Sequence, residues 1–462
     1  MSRIINKPKL PATFLESLRG LAGFEQDAFK EIHESGEQVT SVRFNPSKSP
    51  TTNQDLPIDL KVPWSEFGFY LTERPIFTLD PLFHAGVYYV QEASSMFLEE
   101  VMRQVIDLQK PLRILDLCAA PGGKSTLIQS LISSSSLLVS NEVIKSRAST
   151  LSENIIKWGA SNVVVTNNNP KDFQRLENYF DLIVVDAPCS GSGLFRKDPL
   201  AIGEWSDQNV MLCCQRQQSI LTDVMPALKQ NGLLIYSTCS YSSQENEDVL
   251  DWIKNKYDFE SVAIKLNKDW NSVESRSQKH QCYGYRFYPD KIRGEGFFIS
   301  IFHKSDGNDF SLARSKKTSF ERLTKFEEII VKKLTKPEIE IQFQKKGELV
   351  YGFPFDLIND INLIHSSLYI KKAGILLGKI TAEELIPEHE LALSKLVGDE
   401  VPTIDLKKAQ ALSYLRRENF DHHTKIKGWC IVKYENQNLG WVKILPNRIN
   451  NYYPSAWRIR MG

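Results

Sequence analysis

Between Pro111 and His303, short runs of consecutive apolar residues alternate with helix-length patterned stretches. Arg113–Ala119 (RILDLCA), a run ending at Glu142, Val163–Thr166, Leu182–Asp186 and Gly232–Thr238 read as strands. Gly123–Ser133, Ile144–Trp158 and a long segment within Glu204–Leu228 read as helices. A strand that is apolar at every position has both faces covered, and strands of that kind separated by helices predict βαβ units in a parallel sheet. The sheet is expected to close with Gly296–His303 (GFFISIFH), after a loop-rich stretch at Lys265–Arg293.

The flanks follow other patterns. Ala12–Ser35 has helical spacing, Gln38–Phe44 and Phe67–Leu71 look like strands, and Asn45–Asn53, with two prolines and several Ser/Thr, reads as a loop. A polar linker is expected at Lys304–Lys317, followed by mixed helix and strand patterns over 318–400. The expected organisation is a small α+β N-terminal domain (1–85), an α/β core (86–305), a second α+β domain (318–400) and a C-terminal domain (403–462).

Composition adds limits. The 462 residues are 42% hydrophobic and 24% charged, which is ordinary for a folded chain. Net charge is +1, so bulk charge names no partner. The final segment differs: Thr403–Gly462 holds eleven Lys/Arg and four Asp/Glu, a local net of +7, and is rich in aromatics. That is the footprint of a nucleic-acid surface. Seven scattered cysteines without a CxxC pair point to a reducing compartment rather than to disulfides or structural zinc. No signal-peptide shape and no run of about 20 apolar residues is present, so a cytoplasmic protein off the membrane is expected.

Four motifs sit where the predicted strands end. Asp116–Ser125 (DLCAAPGGKS) runs from a strand through a Pro-Gly-Gly turn into a helix, a place where backbone can approach a ligand and free N–H groups are offered. A phosphate loop needs glycine five residues before the Gly of GK, and Cys118 stands there instead. Glu142, one βα unit later, can accept hydrogen bonds from both hydroxyls of a ribose. Asp186–Gly193 (DAPCSGSG) and Ser237–Ser240 (STCS) place Cys189 and Cys239 at two strand ends. A lone cysteine is more often a small buried hydrophobe, the reading given to Cys213 and Cys214, but two thiols on one sheet edge beside a nucleotide-like site are suited to covalent catalysis. Chemistry alone does not choose between Cys189 and Cys239 as nucleophile. Either thiol needs nearby positive charge to ionise at neutral pH, for which Lys124, Arg196 and Lys197 are candidates.

DLCAAPGGKS, NEVIKSR, DAPCSGSGLFRKDP, YSTCSYSSQENE and RFYPDK…GEGFF, in this order, resemble the NOL1/NOP2/Sun family of RNA 5-cytosine methyltransferases over about Tyr88–His303, with GVYYVQEASSM (Gly86–Met96) similar to that family's entry into its catalytic domain. The resemblance implies a Rossmann-like fold dependent on S-adenosylmethionine. It implies Cys239 as nucleophile, Cys189 as the group that assists release, and Asp186 near the cytosine N3 edge and the cofactor. It places Cys118, Ala119, Ala120, Pro121, Gly122, Gly123 and Lys124 around the methionine and ribose, Glu142 on the ribose and Asn169 near the adenine, where the family usually has Asp.

The tail resembles the C-terminal domain of bacterial small-subunit ribosomal RNA methyltransferases, a PUA-like RNA-binding module. This implies 16S ribosomal RNA, met in the 30S subunit, as partner; nothing in the sequence requires a dimer, so a monomer is expected. Lys425, Lys427, Lys433, Lys443, Arg448, Arg458 and Arg460 could meet phosphates, with Trp429, Trp441, Tyr452, Tyr453 and Trp457 interleaved. Trp429 and Trp441, in strand-like runs, are expected to fill a small β core instead. The rivals are a tRNA 5-cytosine methyltransferase, a DNA cytosine methyltransferase and a non-catalytic ribosome-assembly protein. The intact motifs argue against the last.

Overall fold

The structure is a computed structural model that describes residues 9–48, 56–305, 320–337, 340–420 and 425–461. Its centre is a ten-stranded sheet. In chain order the strands are β1 (Arg113–Asp116), β2 (Leu137–Asn141), β3 (Val163–Thr166), β4 (Phe180–Asp186), β5 (Leu228–Thr238), β6 (Phe259–Ser261), β7 (Val273–Arg276), β8 (Tyr283–Phe287), β9 (Phe297–Lys304) and β10 (Ile370–Ala373). Their order is β7-β8-β9-β5-β4-β1-β2-β3-β10, with β6 paired to β9. Strands β3, β2, β1, β4 and β5 are parallel. The helices α1 (Gly123–Leu131), α2 (Lys145–Trp158) and α3 (Asp207–Val224) connect them, and Ser206 caps α3 by accepting the Asn209 N–H.

The uniform apolar content of these strands has a direct structural cause. Alternate residues go to opposite faces. Leu115, Val139, Ile183 and Leu234 enter one core, and their neighbours Ile114, Leu138, Leu182 and Ile235 enter another. The strand order reverses between β1 and β4, and the crevice at such a reversal, beyond the carboxyl ends, is where open α/β sheets bind ligands.

Several expectations are corrected. Ala12–Ser35 is two helices, Ala12–Ser17 and Gln26–Ser35, separated where Gly20 (φ +83°) and Gly23 (φ +70°) adopt left-handed backbone that a continuing helix cannot contain. Lys265–Arg293 is loop-rich as expected and also carries the β7–β8 hairpin. Strand β10 comes from the segment expected to form a separate α+β domain, yet pairs antiparallel with β3. Of the expected loop Asn45–Asn53, residues 49–53 lie outside the described residues, as does the linker beyond Ser305.

The accessory parts pack tightly on the centre. A four-stranded N-terminal sheet (Ile58–Lys61, Gly68–Leu71, Thr40–Phe44, Tyr88–Val90) shares a core with the last sixty residues, where Val42 and Phe44 join Tyr414, Val432 and Tyr453. Phe14, Leu18 and Phe29 of the first helices pack instead on Phe195, Trp205, Tyr241 and Tyr288. A five-stranded sheet over 321–387 is followed by a C-terminal four-stranded sheet over 403–451. Helix Ile358–Ser367 docks on the central sheet through Asp360, which accepts from Arg113 at 2.7 Å and from the Tyr179 hydroxyl. No helix among the described residues is long and apolar enough to cross a membrane.

Candidate active site

The carboxyl ends of β1, β2, β4 and β5 converge on one edge. A cleft of about 490 Å³ opens there, lined by Leu117 and Cys118 after β1, Glu142 to Ile144 after β2, Asn169 and Pro170 after β3, Pro188 after β4, and Arg216 and Ile220 of α3. Glu142 is buried, accepting the Ile144 N–H at 2.9 Å and facing Arg147 at 3.4 Å. Val143 and Ile144 beside it are 55% and 49% exposed. A carboxylate next to apolar side chains left open in a cleft matches a nucleoside, with hydroxyls for the acid and a flat base for the apolar surface. The donor set therefore fits S-adenosylmethionine.

The glycine turn forms the wall of this cleft rather than its lining. Ala119 donates its N–H to Asn141, Ala120 O accepts from Arg147, and Pro121 O accepts from Asn154. Gly122 caps α1, and Gly123 begins it. Cys118 does line the cleft, and burial pushes its thiol pKa up, so it stays protonated. Asn169 reaches the cleft but spends its side-chain oxygen on the Lys171 N–H as a helix cap. That leaves its amide N–H groups as the donors it can offer a base.

Neither thiol lines the cleft, although Cys189 directly follows Pro188, which does. Cys189 Sγ and Cys239 Sγ are 3.1 Å apart, each half-buried. Strands β4 and β5 run parallel with Asp186 opposite Ser237, so the residues that follow each strand meet. The Cys189 thiol is held well above its ordinary pKa, first by its hydrogen bond to Cys239 and then by burial. Either sulfur can be the donor of this contact. Cys213 and Cys214 are buried core residues of α3.

Asp186 faces the same space. Its Oδ1 accepts from Ser237 Oγ at 2.8 Å, and its Oδ2 meets Lys124 Nζ at 2.8 Å. Burial works against the Lys124 charge, but Asp186, Asp116 and Cys239 together outweigh it, so the pKa of Lys124 is raised. Among the three cations considered for the thiols, Lys124 is therefore beside them. Arg196 is spent on a buried pair with Glu295 at 3.1 Å, and Lys197 is exposed. Arg147, Val143, Ile144 and Arg216 were not picked out from sequence. Val143 and Ile144 carried a usable signal, two apolar residues directly after the strand-end acid, whereas no spacing rule locates one Arg within an eighteen-residue helix.

In the tail, Trp441 is fully buried and donates to Glu388 O, while Trp429 is half-buried and donates to Glu384. Both serve the core, as the strand-like pattern predicted. Lys425, Lys427, Arg448, Arg458 and Arg460 are exposed, whereas Lys443 pairs with Glu384 at 2.6 Å.

Three family models match in sequence order. Residues 10–93 match the N-terminal domain of 16S rRNA methyltransferase RsmF, 103–303 match 16S rRNA methyltransferase RsmB/F, and 401–459 match the methyltransferase RsmF PUA domain. The chain is 32% identical over 414 residues to the ribosomal RNA small subunit methyltransferase F of Aeromonas salmonicida, covering 85% of this chain and 84% of that one. It is 27% identical to the protein of the same name from Vibrio vulnificus (strain YJ016), covering 96% and 97%. Among solved structures, a methyltransferase homolog protein from Pyrococcus horikoshii superposes with a TM-score of 0.50 at 26% identity, over 64% of this chain and 100% of that one. The fold is also shared with NSun6 from the same organism, solved with SFG, at a TM-score of 0.53 and 19% identity, over 65% and 99% of the two chains. With its catalytic, N-terminal and PUA segments all matched and a relative above 30% identity along most of its length, this chain belongs to the ribosomal RNA small subunit methyltransferase F family.

Proposed function

We propose that this protein forms 5-methylcytosine in 16S ribosomal RNA, through a covalent bond between Cys239 Sγ and C6 of the target cytosine. The observation that carries this reading is the Cys189–Cys239 thiol pair, 3.1 Å apart and next to the Lys124–Asp186 pair. C5 of cytosine is too weak a nucleophile to take a methyl group directly. Addition of the Cys239 thiolate to C6 breaks the C5–C6 double bond and makes C5 an enamine carbon, which splits one hard step into easier ones. The added electron density spreads toward N3, where the Lys124–Asp186 pair supplies a positioned charge and donor. When bound in the cleft, S-adenosylmethionine supplies the electrophilic methyl group. C5 takes that methyl and then gives its proton to solvent water; the electron pair left on C5 re-forms the C5–C6 double bond as the C6–S bond breaks, which returns Cys239 as a thiolate. The Cys189 S–H, held protonated against Cys239, stabilises the departing sulfur.

The remaining assignments belong to the same reading. Cys118, Glu142 and Asn169, which line the cleft, hold the cofactor, and the turn from Ala119 to Lys124 braces the residues around it. The target base is extruded or unpaired, because C6 is shielded in a stacked duplex. Residues 1–85 and the PUA-like segment 403–462 grip RNA around the catalytic domain 86–305, with 318–400 bracing the sheet. The enzyme acts as a monomer on the 30S particle in the cytoplasm.

The test incubates the protein with methyl-labelled S-adenosylmethionine and 30S subunits from cells lacking the gene, with naked 16S RNA and bulk tRNA in parallel. Cytosine label in small-subunit RNA, lost in Cys239→Ala and accompanied by a stalled protein–RNA adduct in Cys189→Ala, is the expected result. Label on tRNA alone would remove the substrate, and full activity of Cys239→Ala would remove the mechanism.

A further inference from the structure

Glu245 lies in the turn Ser243–Glu245 that follows the STCS segment, and it is completely buried. A buried carboxylate is expensive unless its lone pairs are filled. Here four donors fill them. Oε1 accepts the Ser190 backbone N–H at 2.8 Å and Gln217 Nε2 at 3.2 Å. Oε2 accepts the Ser190 hydroxyl at 2.5 Å and the Ser240 hydroxyl at 2.6 Å. Ser190 directly follows Cys189, and Ser240 directly follows Cys239. One side chain therefore grips the residue after each thiol.

The surroundings fix Glu245 in turn. Its carbonyl accepts the Tyr236 hydroxyl at 2.7 Å, which ties it to β5. Gln217, reaching from α3, also donates to Pro188 O at 3.1 Å, on the other side of Cys189. The two serine hydroxyls themselves lie 3.2 Å apart. Glu245 does not line the cofactor cleft, and its side chain bonds to the two thiol-bearing loops through Ser190 and Ser240.

We propose that Glu245 is a positioning residue for methyl transfer, which locks the Cys189 and Cys239 loops together so that the release thiol stays in contact with the nucleophile. This rests on the roles given to the two thiols under Proposed function. The negative charge also opposes ionisation of Cys189, in keeping with its place as the proton-bearing partner. Losing the lock separates the sulfurs. Cys239 can still add to C6, but the C6–S bond breaks more slowly, and the covalent species builds up.

The test compares Glu245→Ala and Glu245→Gln with wild type, Cys189→Ala and Cys239→Ala. The readouts are kcat and KM for 16S RNA, cofactor affinity by calorimetry, and the fraction of enzyme trapped as an RNA adduct on denaturing gels. For Glu245→Ala, kcat should fall about 10- to 100-fold, the scale set by misplacing a reacting group by about 1 Å. KM and cofactor affinity should stay within about threefold, and adduct should accumulate as it does in Cys189→Ala. A Gln amide can still accept from the Ser190 N–H and can donate to the hydroxyls, so Glu245→Gln should recover most of the lost rate. The paired change Ser190→Ala with Ser240→Ala keeps the carboxylate and should show the same adduct at a smaller rate loss, which covers an unfolded Glu245→Ala. Wild-type kcat in Glu245→Ala, or parallel losses of rate and cofactor affinity without adduct, would overturn the proposal. If Cys189→Ala itself gives no adduct, the thiol roles fail. If it does and Glu245→Ala and the paired serine variant do not, Glu245 alone is misassigned.

Discussion

Lys124 Nζ sits 2.8 Å from Asp186 Oδ2, which ties the first residues of α1 to the end of β4 across the reversal in strand order. The Lys124 ammonium also lies 5.1 Å from the Phe297 ring centre, so it is held from three directions including the Cys239 side. Asp186 keeps 35% of its side chain exposed and would be hydrated if the lysine were removed. Lys124→Met should therefore cost only about 1 kcal/mol of stability, as for a partly exposed pair. Its effect on rate should be much larger, about 100-fold or more in kcat, because a positioned charge at the developing N3 density is lost. Thermal unfolding and single-turnover methyl transfer on one preparation separate the two quantities. A proportionate loss of both would reduce the pair to a structural role.

Gly193 is packed closely against Cys239 and Gly296. Its N–H donates to Cys239 O at 2.7 Å, and its own carbonyl accepts from Gly296 at 3.1 Å. A Cβ at this position would lie 2.5 Å from Gly296 O and 2.6 Å from Cys239 O, both backbone atoms that cannot swing aside. Gly193→Ala should cost about 1–3 kcal/mol, the usual range for an overpacked site. It should also lower kcat more than cofactor affinity, because the displaced atom belongs to Cys239 and not to the cleft. Equal damage to cofactor binding, read by calorimetry, would show that the strain spreads beyond the thiol loops.

The parallel half of the sheet was legible because its strands are buried on both faces, so 163–165 and 182–185 are apolar without interruption. The same rule hid Val273–Arg276. That strand lies at the sheet edge, and of Val273, Glu274, Ser275 and Arg276 only Ser275 is fully buried. Ile370–Ala373 carries two lysines and pairs with a strand some two hundred residues earlier, a partnership no local pattern encodes. At the site, Glu142 and Cys239 stood out because each directly follows an apolar strand, and Cys189 because it comes three residues after one. Glu245 lay within a quoted motif but had no visible task until the two serines were seen to converge on it. Lys124 was legible as a cation and not as the partner of Asp186, since that pairing depends on which strands lie side by side.

Asp116 gives the fold a pH dependence. It is fully buried, its Oδ2 accepts from Ser125 Oγ at 2.6 Å, and its Oδ1 has no partner among the described residues. Burial raises its pKa to about 7, with Asp186 and Glu142 adding to the rise and Ser125 and Lys124 opposing it. The folded state therefore holds a proton that the unfolded chain releases near pH 4. Between about pH 4 and pH 7 the native state binds more protons, so stability from this group is greatest below pH 4 and is lost as pH rises through 7. Glu295, also raised to about 7 by burial, has the same sign. Asp116→Asn should flatten the fall in melting temperature between pH 5 and pH 8 without abolishing it. An unchanged profile would mean that Asp116 is ionised in the native state throughout.

The tail separates packing from RNA contact. Trp441 and Tyr453 fill the core, so their truncation should unfold the segment and lower RNA binding only indirectly. Arg458 and Arg460 are exposed on either side of the buried Ile459, which anchors them in the shared N- and C-terminal core. Side chains held on a rigid backbone lose less freedom on meeting phosphate than those of a loose tail. Arg458→Gln with Arg460→Gln should leave the melting temperature within error and weaken binding to 16S RNA. The slope of log affinity against log salt should drop by roughly one to two, because up to two phosphate contacts and their released counterions are lost. The cofactor affinity should not move, since neither residue lines the cleft beside Glu142. An unchanged salt slope in titrations between low and moderate salt would place the RNA on another face of the protein.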